Sequence, residues 1–289
     1  MAADPAPGPD RTCPAPAVPD GAGFFRTDGD ALVPARFATS PWGRVLHGRL
    51  IGGLTARAAE RARADDRDLA CGRLTIDMFR SARLAPVHVD ARTIRTGRRI
   101  VVLEVTVEQD DGPIGQGRAV LLRRSPGSGE PALRTPRWDA PAPPELGPPS
   151  PPRPGGGWTA PWQTWRVGGS YRGMWVRETH PLITGENLTP LVRLALAADM
   201  ASPAANSSAD GLHFINADYT IHLGREPRDE YIGIQATGNV SDRGVTAGHC
   251  VVHDLAGPVG FVATTAVANP RGPARPHPAD RPGGTAPAP

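Results

Sequence analysis

The sequence has no lysine and no long apolar run, and each absence excludes a class of protein. All 32 basic residues are Arg, acidic residues are interspersed among them, and the formal net charge is only +3. This pattern is typical of a solvated surface and argues against a nucleic-acid-binding protein. No window holds about 18 uninterrupted apolar residues, so the sequence predicts no membrane-spanning helix.

Cysteine is scarce and poorly spaced. Cys13, Cys71 and Cys250 are odd in number and lack CxxC spacing, which excludes a disulfide framework and a zinc site. His249 and His253 suggest a metal cluster, but on a strand they would lie roughly 13 Å apart, too far to share one ion. We therefore predict no metal. The N-terminus has no cationic segment followed by an apolar run, so we predict no signal peptide and a cytoplasmic location.

Proline and glycine, by contrast, are abundant at 34 each and unevenly placed. They dominate residues 1–23, much of 125–169, and 270–289. Such segments bury too little apolar surface to offset their ordering entropy, which predicts two disordered tails and a linker. The Pro-rich run at 148–154 favours extended conformations and is expected to act as a semi-rigid spacer.

Between these segments the sequence predicts one helix followed by four strands, in the same order twice. The first set is a helix at 46–63 and strands at 72–79, 87–95, 100–108 and 114–123. The second is a strand at 171–177, a helix at 189–200 capped by Thr189, and strands at 212–223, 231–237, 245–253 and 259–267. Asp77, Pro86, Thr96 and Gly97 match Asp218, Pro227, Thr237 and Gly238 at a constant offset of 141 residues. This series predicts a tandem duplication.

Three glycines in the first helical segment, Gly48, Gly52 and Gly53, disfavour an isolated helix by about 1 kcal/mol each. They indicate that another element or a ligand approaches this helix closely. Tryptophans crowd the start of the second unit, at Trp158, Trp162, Trp165 and Trp175. We interpret them as filling the seam between the halves or an oligomer interface.

The most informative strand is predicted at 211–223, with Asp218 near its middle. Strict alternation predicts that Ile215, Ala217, Tyr219, Ile221 and Leu223 share one face, and that Phe214, Asn216, Asp218, Thr220 and His222 share the other. A carboxylate between apolar residues and a polar row must be hydrated, paired or used in chemistry.

One helix with about four long antiparallel strands, present twice, resembles the hotdog fold. The two-copy form resembles the double-hotdog acyl-CoA thioesterases, the type II or TesB-like group and its actinobacterial relatives. The resemblance is carried by His47-Gly48-Arg49, the 74–86 strand, Ala197-Ala198-Asp199, Asn216-Ala217-Asp218 and Thr237-Gly238. It implies an α+β tandem double hotdog with units at 24–124 and 170–269.

That family hydrolyses acyl thioesters with a water that an Asp, a Thr and a Gln orient and deprotonate, while backbone N–H groups at a helix start hold the carbonyl. Carried over, the resemblance implies Asp218 as the base, Thr237 as the orienting hydroxyl, and Thr264 or Thr265 in place of the Gln. It places His47, Gly48 and Arg49 at the carbonyl-binding helix start. Asn216 and His222 are expected to line the pocket. Asp77 is interpreted as a remnant of the duplication, with a second base as the alternative.

The expected function is hydrolysis of an acyl-CoA or acyl-carrier thioester, with no cofactor beyond the CoA of the substrate. Because Thr reaches less far than Gln, and Arg49 is expected to add bulk and charge at the site mouth, we expect a hydrolysis that is weak, narrowed to an unusual acyl group, or changed. Two alternatives stay open: an enoyl-thioester hydratase or dehydratase, and a non-catalytic acyl-thioester-binding protein. The sequence leaves homo-oligomerisation open.

Overall fold

A computed structural model describes residues 21–63, 66, 68–126, 129, 133–151, 159–168, 172–207 and 211–269. The predicted disordered tails lie almost entirely outside the described residues, as do Trp158 and Tyr171. No helix in these ranges combines the length and the apolar character needed to cross a membrane.

The described elements follow the predicted order. The first unit contains β1 (Phe25–Asp28), β2 (Ala31–Pro34), β3 (Thr39–Ser40), β4 (Gly43–Leu46), α1 (Arg49–Arg63), β5 (Leu69–Met78), β6 (His88–Thr96), β7 (Ile100–Gln109) and β8 (Gly112–Arg123). The second contains α2 (Pro143–Leu146), β9 (Trp162–Val167), β10 (Gly173–Glu178), α3 (Pro190–Ala198), α4 (Ala201–Asn206), β11 (Phe214–Leu223), β12 (Tyr231–Asp242), β13 (Val245–Asp254) and β14 (Gly257–Ala268).

Ten strands form one antiparallel sheet in the order β6-β7-β8-β5-β11-β14-β13-β12-β10-β9. The two units meet at the β5–β11 pair, where Asp77 lies directly opposite Asp218. These are the residues that the 141-residue offset equates, so the pseudo-twofold axis of the duplication passes between them. α1 packs on β5 to β8 and against α3. The predicted tandem double hotdog is confirmed.

The two central helices form for the reasons seen in the sequence. Thr189 caps α3, because its side-chain oxygen accepts a hydrogen bond from the Val192 N–H at 3.2 Å, and Pro190 opens the first turn. In α1 the predicted close approach is confirmed at Gly52. A β-carbon there would collide with the Tyr219 hydroxyl, which donates to the Ala195 carbonyl at 3.0 Å. Glycine thus lets β11 anchor both helices.

The predicted linker is more ordered than expected. Residues 133–151 pack on the second unit, where Trp138 joins Trp165 and Trp175 in a separate apolar cluster. The Trp175 indole donates to the Pro141 carbonyl at 3.0 Å, and that of Trp165 to Gly147 at 2.9 Å. These aromatic rings supply apolar burial that offsets the ordering of a Pro-rich segment. Both tryptophans therefore pack against this segment and do not fill the seam, and β9 falls inside the range predicted as linker.

Candidate active site

A cavity of about 1400 Å³ lies where the start of α1 meets the end of α3. It is called the pocket below. Of the catalytic and substrate-binding residues predicted from the sequence, His47, Gly48, Asn216 and Thr237 line it. One further lining residue is Asp199, which follows α3 and is 5% exposed. The pocket therefore combines a helix start with a buried carboxylate.

Asp199 is held from two sides. Its Oδ1 accepts a hydrogen bond from the Asn216 side-chain amide at 2.6 Å, and its Oδ2 lies 3.7 Å from Nδ1 of His47. Burial raises the pKa of Asp199 above its usual range, while the Asn216 hydrogen bond and the positive charge of Arg49 act in the opposite direction. A carboxylate with a raised pKa beside a ligand cavity is suited to accept a proton.

His47 is neutral in this setting. Burial and then the nearby Arg49 charge lower its pKa to about 3. The backbone N–H of Arg49 donates to His47 Nδ1 at 3.3 Å, which leaves the ring proton on Nε2. The close approach of His47 to Asp199 is therefore not an ion pair.

Gly48 supplies a backbone donor at the start of α1. Among the described residues its N–H has no hydrogen-bond partner, whereas the Leu50 and Ile51 N–H groups bond to the His47 and Gly48 carbonyls at 3.0 Å each. A β-carbon at Gly48 would lie 2.5 Å from the sulfur of Met78, so the glycine also makes room for that side chain. A free N–H at a helix start is a donor for a developing oxyanion.

The predicted shared face of Asn216 and Asp218 is wrong because β11 contains a bulge. Asn216 pairs with Ala266 and Asp218 pairs with Thr265, so Ala217 is an extra residue without its own partner. Ala266 is buried and Thr265 exposed. The bulge therefore turns Asn216 inward, toward Asp199, and leaves Asp218 on the outer face of the sheet.

The predicted base, Asp218, does not line the pocket. Its carboxylate accepts hydrogen bonds from the backbone N–H of Thr265 at 3.2 Å and from that residue's hydroxyl, and its backbone carbonyl accepts one from Thr264 at 2.8 Å. The structure thus brings together Asp218, Thr264 and Thr265, but away from the cavity. Asp77, the residue that the duplication equates with Asp218, lies on the same outer face. Its pKa is raised by partial desolvation first and by repulsion from Asp218 second.

Three other predicted site residues are placed differently from expectation. Arg49 was expected at the site mouth, yet its side chain is wholly buried and absent from the pocket lining. His222 is exposed on the outer face, opposite Phe261. Thr237 lines the pocket, but its hydroxyl bonds to His249 Nδ1 at 2.9 Å, and no contact joins it to Asp218 among the described residues.

Asp199 is the site residue that sequence reasoning missed, although a signal existed. The helix before it is almost wholly apolar, and an acid near a helix C-terminus opposes the macrodipole. Such a placement needs a compensating role, which the pocket supplies.

Within the described ranges no group of three or more His, Cys, Asp or Glu side chains could hold a metal ion.

Comparisons with known proteins agree with this architecture. The family model described as the acyl-CoA thioesterase N-terminal domain matches residues 38–122, and that of the acyl-CoA thioesterase C-terminal domain matches residues 127–268. The second match begins inside the predicted linker, as the packing of residues 133–151 requires. A search of curated proteins finds no match.

Solved structures with the same fold cover most of the chain. A proposed thioesterase from Novosphingobium aromaticivorans DSM 12444 is 17% identical, with a TM-score of 0.65 over 88% of this chain and 99% of its own. A proposed thioesterase II from Thermobifida fusca YX is 17% identical, with a TM-score of 0.62 over 86% of this chain and 96% of its own. A hot dog fold protein of unknown function from Alicyclobacillus acidocaldarius is 18% identical, with a TM-score of 0.62 over 86% of this chain and 97% of its own. The chain belongs to the two-domain acyl-CoA thioesterase family.

Proposed function

We propose that the protein hydrolyses an acyl-CoA, or a related acyl thioester, to the free acid and the thiol, with Asp199 as the general base. The observation that carries this proposal is the placement of a buried, hydrogen-bonded carboxylate in the same pocket as the free N–H at the start of α1. Thioester hydrolysis needs both groups, one to activate water and one to hold the oxyanion.

The reaction follows from these positions. A water molecule between Asp199 and the bound thioester transfers one proton to the carboxylate as its oxygen attacks the carbonyl carbon. The Gly48 N–H stabilises the negative charge that develops on the carbonyl oxygen. Collapse of the tetrahedral intermediate forms the acid and breaks the C–S bond, and the proton on Asp199 passes to the departing thiolate. Asn216 keeps the carboxylate aimed at the water.

The charge of the pocket supports a CoA thioester. Three arginines, Arg80, Arg166 and Arg172, are among its described lining residues, and Asp199 is the one carboxylate among them. A cationic mouth attracts a substrate with phosphate groups. Of the three, Arg80 also pairs with Asp111, at 2.5 Å.

A second candidate is hydration of an enoyl thioester, which uses an Asp and a His in one pocket. The 3.7 Å approach of His47 to Asp199 favours it. The neutral His47 ring, whose Nδ1 already accepts the Arg49 N–H, argues against a role in proton transfer with Asp199. We therefore rank it second.

A panel of acyl-CoA and enoyl-CoA substrates separates these functions. Free thiol is measured with a colorimetric reagent, hydration by loss of the enoyl absorbance, and binding by calorimetry. Hydrolysis predicts thiol release with at least one acyl-CoA and no hydrated product. Hydration without thiol release would establish the second candidate, and binding without turnover would show that the protein only binds acyl thioesters.

A further inference from the structure

Arg49 makes a buried ion pair beneath the pocket. Its guanidinium donates to a Glu178 carboxylate oxygen, and both side chains are 0% exposed. Its Nε also donates to the Leu196 carbonyl at 3.1 Å. The guanidinium carbon lies 3.8 Å from the centre of the Trp162 ring, within the range of a cation–π contact. The groups that accept its side-chain hydrogen bonds, and the ring nearest to it, thus all belong to the second unit.

This arrangement is an inefficient way to gain stability. Removing two charges from water costs several kcal/mol each, and apolar residues of similar volume are often as stabilising as a buried pair. One guanidinium nitrogen of Arg49 and the second carboxylate oxygen of Glu178 also have no hydrogen-bond partner among the described residues. Buried polar groups left in this state need an explanation beyond packing.

The pair is connected to the pocket by direct contacts. The Arg49 backbone N–H bonds to His47 Nδ1, and the His47 ring meets Trp162 edge-on with centroids 5.4 Å apart. Trp162 therefore contacts Arg49 and His47 at once. Through this contact the position of His47, on the first unit, depends on β9 and β10 of the second.

We propose that Arg49, paired with Glu178, is a positioning residue of this site: it fixes the His47 ring against Trp162 and holds its positive charge near the Asp199 carboxylate. The inference rests on the proposed function, in which Asp199 must be ionised. Arg49 does not line the pocket and is not itself catalytic.

The direction in which Arg49 shifts the pKa of Asp199 is consistent with this role. The groups that act on Asp199 are the Asn216 amide, the neutral His47 ring, the un-ionised Tyr219 hydroxyl and the Arg49 charge. Arg49 lowers the pKa of Asp199, whereas Glu178 is not among the causes of its shift. Removal of the whole pair therefore raises the pKa of Asp199, and the carboxylate is protonated at a higher pH.

The test is the double variant Arg49→Met/Glu178→Gln, which leaves no unpaired buried charge. Its matched control is Arg57→Met/Glu186→Gln, which removes an ion pair between the same helix and the segment before α3. Thermal unfolding first establishes that both variants fold. We expect kcat of the first variant to fall up to about 100-fold, with the acid limb of its pH–rate profile moved to higher pH. The control variant is expected to keep the wild-type kcat and the wild-type position of the acid limb.

A second readout does not depend on turnover. Infrared difference spectra against Asp199→Asn follow the carbonyl band of the protonated Asp199 carboxyl as pH changes. The proposal predicts that this titration moves to higher pH in Arg49→Met/Glu178→Gln. An unchanged titration in a folded variant would overturn it, whether or not the enzyme releases thiol. Absence of thiol release from the wild-type protein, by contrast, would overturn only the proposed hydrolysis.

Discussion

The two ends of the α1–α3 helix pair are related by the duplication, yet their cavities differ about fourfold in volume. At the open end, formed by His47, Gly48 and Asp199, the start of α1 meets the end of α3 around the 1400 Å³ pocket. At the closed end, formed by Arg57, Glu60, Arg61, Glu186 and Thr189, the start of α3 meets the second half of α1 around a cavity of about 350 Å³. Thr189 lies 141 residues after Gly48, so the two helix starts correspond.

The difference lies in how each end uses its helix-start donors and charges. At the closed end Thr189 accepts the Val192 N–H and donates to Glu60 at 2.7 Å, while Glu186 takes hydrogen bonds from both Arg57 and Arg61. At the open end Gly48 has no side chain to cap its helix, and in the described part of the chain Asp199 has only the neutral His47, and no cation, within ion-pair distance. The duplication makes the two ends equivalent, but hydrogen bonds and ion pairs among Arg57, Arg61 and Glu186 occupy only the second.

The largest expected difference between the ends concerns stability. Arg49→Met leaves Glu178 buried without its partner, which we expect to lower the free energy of unfolding by about 3–5 kcal/mol. Arg57→Met breaks a pair whose carboxylate is 40% exposed, so we expect a loss of about 0–1 kcal/mol. Chemical denaturation measures both. Equal losses would show that the pair at the open end is not buried as described.

A smaller effect is expected from the amide that holds the base. Asn216→Ala removes a hydrogen bond to a charged group, worth about 1.5–3 kcal/mol, so kcat should fall roughly 10- to 100-fold. Asn239→Ala is the matched control, because Asn239 also lines the pocket but bonds to Asn206 and Thr246. A comparable loss in both variants would mean that general disturbance of the pocket, and not the aim of Asp199, lowers the rate.

The pH dependence of the activity tests whether Asp199 is the group that must be ionised. Asp199 must be ionised to accept a proton, and burial raises its pKa, so activity should fall with decreasing pH at values above the usual range of a carboxyl group. His47, with a pKa of about 3, contributes no titration near neutral pH. Asn216→Ala should move the acid limb to higher pH, since this hydrogen bond lowers the pKa of Asp199. If the acid limb of the pH–rate profile lies at the same pH in Asn216→Ala as in the wild type, Asp199 is not the titrating base.

The smallest effect is expected at the closed end. Glu186→Gln weakens its contacts with Arg57 and Arg61, and we expect kcat and KM to stay at wild-type values while the free energy of unfolding changes by less than about 1 kcal/mol. Kinetics and denaturation of the same preparation measure this. A marked change in KM would indicate that the closed end also takes part in substrate binding.

Much of the fold could be predicted because periodicity and duplication act over many residues. The alternation of Leu74 and Ile76, the cap at Thr189 and the 141-residue offset each agree with the structure. The base could not be assigned in the same way, because a single extra residue, Ala217, reverses which neighbours of Asp218 face inward. A bulge has no reliable signature in one sequence, and period-two reasoning fails at the point where it occurs.

Packing of distant residues also exceeded what the sequence could predict. Arg49 looks like a surface cation beside a glycine, and only its contacts with Glu178 and Trp162 show that it is buried. The order of residues 133–151 likewise depends on Trp165 and Trp175, which come later in the chain. Such placements follow from contacts between residues distant in the sequence and leave no local pattern.

The central claim is that the base is the inward-facing Asp199 and not the outward-facing Asp218. The most direct measurement compares kcat for thiol release in Asp199→Asn and Asp218→Asn, two isosteric changes at carboxylates only 19 residues apart. The account predicts a loss of about 10²- to 10⁴-fold for Asp199→Asn and a rate near that of the wild type for Asp218→Asn. The reverse outcome, with activity lost in Asp218→Asn and kept in Asp199→Asn, would contradict it.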